Sequence, residues 1–223
     1  MSLYDQPMTG SIPPVGERIR EERLRTGRSV RQLARDVGVS ASLISQIENG
    51  RSRPSVSTLY AITQALGISV EDVFDTGAGA TVETMADAVP GPVGRLPSVA
   101  EALAASAATD VALGPLIRPQ EREVLELDSG VTWERLGRTA GAKVDFMLVT
   151  YAPGGSSSST GQLMRHPGDE YGYLLSGALV VTLGFTEHEL GAGDAVSFPS
   201  STPHRYRNDG EIPAVGIWAV VQD

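Results

Sequence analysis

The chain has 223 residues, 41% apolar and 20% charged, enough to bury an ordinary core as one large domain or two small ones. It contains no cysteine, which excludes disulfides, thiolate zinc sites and cysteine nucleophiles. The net charge of −9 is uneven: Val15 to Leu66 holds nine arginines against five acidic residues, and residues 77–223 hold nine basic against eighteen acidic ones. A locally basic segment on an acidic partner suits a nucleic-acid-binding module, and suits a solvated helical face equally well. No apolar run reaches the roughly 18–20 residues of a membrane span, and "MSLYDQPMTGSIPPVGERIR" lacks the layout of a signal peptide. The expectation is a cytoplasmic protein with no membrane partner.

Residues 1–14 are polar with Gly and Pro and read as a mobile tail. From 15 to 75 the pattern is helical, in five short pieces separated by turn signals. "GERIREERLRTG" points Ile19 and Leu24 toward a core. "SVRQLARDVG" starts on Ser29 as an N-cap, buries Val30, Leu33, Ala34 and Val37, and stops at Gly38. "SASLISQIENG" starts on Ser40, "SVSTLYAITQALG" on Ser55, and "SVEDVFD" makes a fifth helix. Residues 76–113 are rich in Gly, Pro and Ala and read as a linker, with a short helix near Val99–Ser106. From 114 to 223 short segments such as "VTWERL", "KVDFMLVTYAP" and "AVGIWAVV" alternate with turns, the signature of a β-sandwich or barrel. Trp218 and Phe146 read as core.

The helices on either side of "DVGVS" form a helix-turn-helix: Ala34 is small at the crossing, Gly38 suits a left-handed turn, and Val39, Ile44 and Ile47 lock the second helix. "LARDVGVSASLISQIENGRSRPSVSTLYAITQALGIS" resembles the five-helix DNA-binding domain of phage-repressor-like regulators, the XRE family. That resemblance implies that Ser40 to Glu48 enters the major groove, with Ala41, Ser42, Ser45 and Gln46 toward the bases. Gln46 is the best reader, because its amide pairs bidentately with adenine. Arg31, Arg51 and Arg53, with the helix N-termini at Ser29 and Ser40, would hold phosphates. Glu48 reads as structural, bonded to a nearby arginine or to backbone. Since one module contacts few bases, a homodimer on a palindromic double-stranded DNA site follows.

The β segment contains "QLMRHPGDEYGYLLSG" and, later, "GAGDAVSFPSSTPHRYRN". Met164, His166, Glu170 and Gly177, then Gly193, Pro199, His204 and Asn208, resemble the two motifs of the cupins, which are double-stranded β-helix barrels. Met164 stands where the family has a first histidine, and Ser201 replaces a motif glycine. His166, Glu170 and His204 make a two-histidine, one-carboxylate set that suits iron(II), manganese, nickel or zinc. The thioether of Met164 is a poor ligand for such ions and fills space instead. The same residues could equally hydrogen-bond one another or hold an organic ligand. Tyr206 follows His204 at strand spacing and is a candidate to line the same pocket, with core packing equally natural for it; Arg165 points away and His188 is expected to be exposed.

These two resemblances together imply a bacterial transcriptional regulator: an all-α helix-turn-helix domain, then an all-β cupin that dimerises and senses a small-molecule effector, a metal, or both. It is not expected to be an enzyme. The alternative is a non-haem iron oxygenase, because the hydroxypropylphosphonate epoxidases share this layout and hold iron on two histidines and a glutamate. A cupin that only dimerises is the third reading.

Overall fold

The structure, a computed structural model, describes residues 15–74, 116–138 and 143–222. The tail expected at 1–14, and the linker at 76–113 with its short helix, lie outside the described residues.

Five helices open the described chain. Helix α1 (Val15–Arg25) buries Val15, Ile19, Glu22 and Arg23, one face at helical spacing. Leu24 is 59% exposed and not in the core. It follows Ile19 by five residues, about 140° around the helix, so it faces water. In α2 (Val30–Val37) the Ser29 side chain accepts from the Gln32 amide while the Gln32 side chain accepts from the Ser29 amide, a complete capping box. The turn after α2 passes through Gly38 at φ 78°, a conformation that costs a residue with a Cβ. Helix α3 (Ala41–Glu48) starts on Ser40, whose hydroxyl caps the Leu43 amide. Helix α4 (Val56–Leu66) starts on Ser55, and α5 (Val70–Phe74) closes the group. Ile19, Leu33, Ile44, Ile47, Leu59 and Ile62 form the helical core, essentially without solvent access.

Nine antiparallel strands follow: β1 (Val124–Leu127), β2 (Val131–Gly137), β3 (Val144–Tyr151), β4 (Asp169–Ser176), β5 (Ala178–Leu183), β6 (Thr186–Gly191), β7 (Ala195–Pro199), β8 (His204–Arg207) and β9 (Ala214–Val221). They form a six-stranded sheet, ordered β1-β2-β3-β9-β4-β7, facing a three-stranded one, β6-β5-β8. Burial alternates along β4 and β9, so every second residue enters the barrel. Trp218 lies across the interior because Gly172 and Gly216 lack side chains there: a Cβ on either would meet its indole at 2.7 or 2.3 Å.

Phe146, expected in the core, is 40% exposed. Strand period decides this: Asp145, Met147 and Val149 take the inward positions of β3, which leaves Phe146 on the outer face. There it pairs through Ala219 of β9 with Tyr171 of β4, and Tyr171 and Tyr173 are also exposed.

The helical domain packs directly on the barrel. The Ser57 amide donates to the Ser157 carbonyl at 2.9 Å, and the Asp128 amide to the Pro54 carbonyl at 2.9 Å. Arg53 pairs with Glu126, Arg138 with Glu71 at 3.1 Å, and the Arg135 guanidinium sits 5.4 Å from the Phe74 ring centre. The two cores therefore join in one apolar cluster.

Candidate functional site

Helix α3 presents Ser42 and Gln46 to solvent one turn apart, with the Gln46 amide 3.4 Å from the Ser42 hydroxyl. Ser45 is half-buried, and its carbonyl accepts from the Asn49 side chain at 2.6 Å. Ala41, expected toward the bases, is half-buried, packed against the helical core. Ser29, Ser40, Arg31 and Arg51 are exposed around this face. Arg53 is also exposed, but the structure places its guanidinium on Glu126 of the barrel. Behind α3, Glu48 is buried and held by Arg23 from α1, Nε to Oε1 at 2.6 Å and Nη2 to Oε2 at 2.8 Å. This two-pronged pair fixes the recognition helix against α1 and leaves Glu48 no reach toward a base.

The other site lies inside the barrel mouth. Met164 and His204 exchange both backbone hydrogen bonds at 2.9 Å, and the His166 amide donates to Ser200. These bonds hold the Met164–His166 segment against the start of β8, opposite Glu170 on β4. His166, Glu170 and His204 are all buried, and one ligand atom from each lies within 4.8 Å of the others. The Nε2 atoms of His166 and His204 stand 3.3 and 3.4 Å from Glu170 Oε2. Neither nitrogen has a hydrogen-bond partner of acceptable direction, although both are buried.

The ring tautomers follow from the opposite nitrogens. His204 Nδ1 lies 2.8 Å from the Thr202 carbonyl and His166 Nδ1 3.2 Å from that of Pro167; a carbonyl only accepts, so both Nδ1 atoms carry the proton. In the neutral ring Nε2 is then a bare lone pair. Burial holds His204 below the usual histidine pKa, against the pull of Glu170 and the Thr202 carbonyl. For Glu170, burial pushes upward, but the His166 hydrogen-bonding contact, the charges of His204 and His166 and the Tyr206 hydroxyl outweigh it, so its pKa lies below the ordinary value. Two imidazole Nε2 atoms and a carboxylate thus converge, and a proton or a cation among them is what keeps the Glu170 carboxylate ionised. Ligand atoms about 2.1 Å from one ion are about 3.0–3.4 Å apart at ordinary bond angles, which matches the two histidine–Glu170 separations. The residues fit a divalent ion, with both imidazoles oriented by backbone carbonyls as metal-binding histidines usually are.

Tyr206 is buried, donates to Glu170 Oε1 at 2.8 Å and receives the Trp218 indole N–H at 3.3 Å. Burial raises its hydroxyl pKa well above 10, so it remains a donor. Met164 is buried and lines the same chamber, Arg165 turns outward, and His188 is exposed. Four residues that the motifs do not mark complete the surroundings. Trp133 and Tyr151 line the chamber, and strand alternation from Met147 and Val149 could have indicated Tyr151. Asp145 is buried near the mouth, and its carboxyl is raised to about 6, by burial first and then by the charge of Glu71 on α5. Tyr60 comes from α4: its ring stacks on His166 with centres 3.9 Å apart and planes 3° apart.

Fold and site together define a two-part protein: a helical domain with an open recognition helix, and a cupin barrel with a histidine–carboxylate centre. Residues 19–73 match the family model described as Helix-turn-helix, and residues 147–220 the one described as Cupin domain. The "HTH-type transcriptional regulator PuuR" of Escherichia coli is 24% identical over 195 residues, 86% of either chain. The "Transcriptional regulator ClgR" of Mycobacterium tuberculosis is 34% identical over 105 residues, 46% of this chain and 88% of that one. A crystal structure of an HTH_3 family transcriptional regulator from Vibrio cholerae has the same fold, at TM-score 0.61 and 21% identity over 95% of this chain and 96% of that one. The chain belongs to the helix-turn-helix transcriptional regulators of the XRE type that carry a cupin domain, and it is a DNA-binding regulator. Among the described residues no helix is long and apolar enough to cross a membrane.

Proposed function

We propose that this regulator reads a two-fold-symmetric operator as a homodimer, through a domain at 15–75, and that a cupin at 114–223 reports a divalent ion, a small molecule, or both across a linker at 76–113. The observation that carries the sensing role is the pair of unpartnered, buried Nε2 atoms facing the ionised Glu170. On the DNA side, Ser42 and Gln46 meet base edges, with Ala41 and Ser45 beside them, and Arg31 and Arg51 with the caps Ser29 and Ser40 hold phosphates, joined by Arg53 only where DNA draws it from Glu126. The apolar outer row of Phe146, Tyr171 and Tyr173 favours a cupin-mediated dimer, since so contiguous an exposed patch marks an interface.

Gel retardation with the protein's own promoter region tests this reading. Gln46→Ala is expected to cost about 1–3 kcal/mol on the preferred site only. Arg51→Ala is expected to weaken binding to all sequences and lower the salt slope by about one. No retardation by the wild type at moderate salt overturns the operator model, and a sedimentation profile of monomers at all concentrations overturns the dimer. The histidine–carboxylate set also favours a second reading, oxygen-dependent chemistry on iron(II). Metal analysis of the purified protein with oxygen-uptake measurements separates the two: iron and substrate-dependent uptake establish the enzyme.

A further inference from the structure

The chamber that holds Glu170 is not closed by the barrel alone. Its wall consists of Trp133, Met147, Val149, Tyr151, Met164, Tyr206 and neighbours from the strands, together with Val56 and Tyr60 of α4. The space left inside, on the side of Glu170 away from the two histidines, is about 20 Å³, room for about one water and too small for an organic ligand. Tyr60 lies flat on His166 and meets Trp133 edge-on with centres 5.9 Å apart, and only 6% of it reaches solvent. Just outside the stack is an open cleft of about 900 Å³ between the domains. One wall is the helix-turn-helix turn, Val37–Val39, with Ser57, Ala61 and Gln64 of α4; the other runs from Gln162 to Pro167 of the barrel.

We propose that α4 of the DNA-binding domain is the roof of the cupin chamber, with Tyr60 as the residue that decides what enters. A bare divalent ion fits beneath the roof. An organic effector does not: the Tyr60 ring fills the volume between His166 and Trp133 that it would need to reach Glu170 beneath α4. Docking of the DNA-binding domain and effector binding therefore compete for one volume. The effector's apparent affinity falls by the fraction of protein that is docked, and by linkage the effector drives the helical domain off the barrel. Such release alters how two recognition helices are presented to a dyad, which the ion alone does not. This deepens the sensing role proposed above and rests on it, while the roof itself is a statement about access.

Access has an intrinsic probe. The chain has two tryptophans, Trp133 and Trp218, and both line the chamber. Acrylamide quenching of their fluorescence is expected to rise at least about threefold in Tyr60→Ala and to stay at the wild-type value in Tyr60→Phe, which keeps the ring. A Tyr60→Ala protein with unchanged far-ultraviolet circular dichroism and unchanged quenching overturns the roof. Should that variant lose helix, charge reversal at the domain contacts, Arg53→Glu with Arg138→Glu, decides instead by setting like charges against Glu126 and Glu71. Quenching at least about twofold above wild type supports the roof, and no change overturns it. A second probe separates the roof from the metal reading. Co²⁺ alone is expected to bind wild type and Tyr60→Ala alike, and added imidazole is expected to shift the cobalt visible spectrum at least about tenfold more readily in Tyr60→Ala. Equal imidazole response overturns the roof while the metal site stands. Absence of Co²⁺ binding in both proteins overturns the metal site, and the quenching result then decides the roof by itself.

Discussion

Two buried glutamates, one in each domain, show how differently the same group is used. Glu48 lies between α1 and α3 and is matched by the Arg23 fork, two short hydrogen bonds from a permanently charged partner. Glu170 lies at the barrel mouth against two imidazoles whose facing nitrogens have no well-directed hydrogen-bond partner, with the Tyr206 hydroxyl as its one good donor. The first is a closed account of charge and serves to hold the recognition helix. The second is incomplete among the described residues. Asp145 supplies a third case: a carboxyl near the domain contact that burial first, and the acidic Glu71 second, keep protonated in mildly acidic solution. Matched, unmatched and repelled carboxylates thus lie between two helices, at the barrel mouth and beside the domain contact.

The largest effect is expected from opening the matched pair. Arg23→Met leaves Glu48 buried without its partner, and an urea or thermal melt is expected to show a loss of about 3–5 kcal/mol. A loss below about 1 kcal/mol would mean that the pair does not fix α3.

Next comes the repelled carboxyl. Its folded pKa, about 6, lies above the unfolded value of 3.8, so the folded chain binds more protons between those values. Asp145 thus makes stability fall as pH rises from about 4 to about 6, by about 2–3 kcal/mol in all. Asp145→Asn removes that slope and is expected to be the more stable protein above pH 6, as read from urea midpoints at a series of pH values; parallel profiles for the two proteins would break the assignment.

Glu170→Gln sharpens the contrast in the other direction. The amide oxygen still accepts from Tyr206, so stability is expected to change by less than about 1 kcal/mol, while affinity for a divalent ion, measured by calorimetry, falls at least about 100-fold. A Glu170→Gln protein that melts far below wild type would make Glu170 a structural group like Glu48. The smallest effect is expected from Ser40→Ala, which removes the α3 cap and costs about 1 kcal/mol of stability without touching the chamber.

Much of this was legible along the chain. Ser29, Ser40 and Ser55 preceding apolar helical patterns, and Gly38 between two of them, determined where helices begin and turn, because capping and left-handed turns depend on a few neighbouring residues. Frequent turns between short apolar segments pointed to the strands, and the resemblance to the two cupin motifs pointed to His166, Glu170 and His204 as one set. Leu24 and Phe146 were misread for a local reason: each is apolar but sits off the buried face, and apolarity alone does not give direction around a helix or across a sheet. Tyr60 left a weaker signal, an aromatic one position past Leu59 and outside the Leu59–Ile62–Leu66 stripe, which hinted at a second buried face on α4 without naming what it meets.

The sequence by itself determined two domains, their helices and strands, and which residues carry polar chemistry, because those depend on periodicity and short-range geometry. Only the tertiary structure decided that Tyr60 rests on His166, that Arg53 faces Glu126, and that Asp145 lies under the influence of α5. Those contacts join residues far apart in the chain across a domain boundary. They are set by the fit of two finished surfaces, which no local pattern encodes.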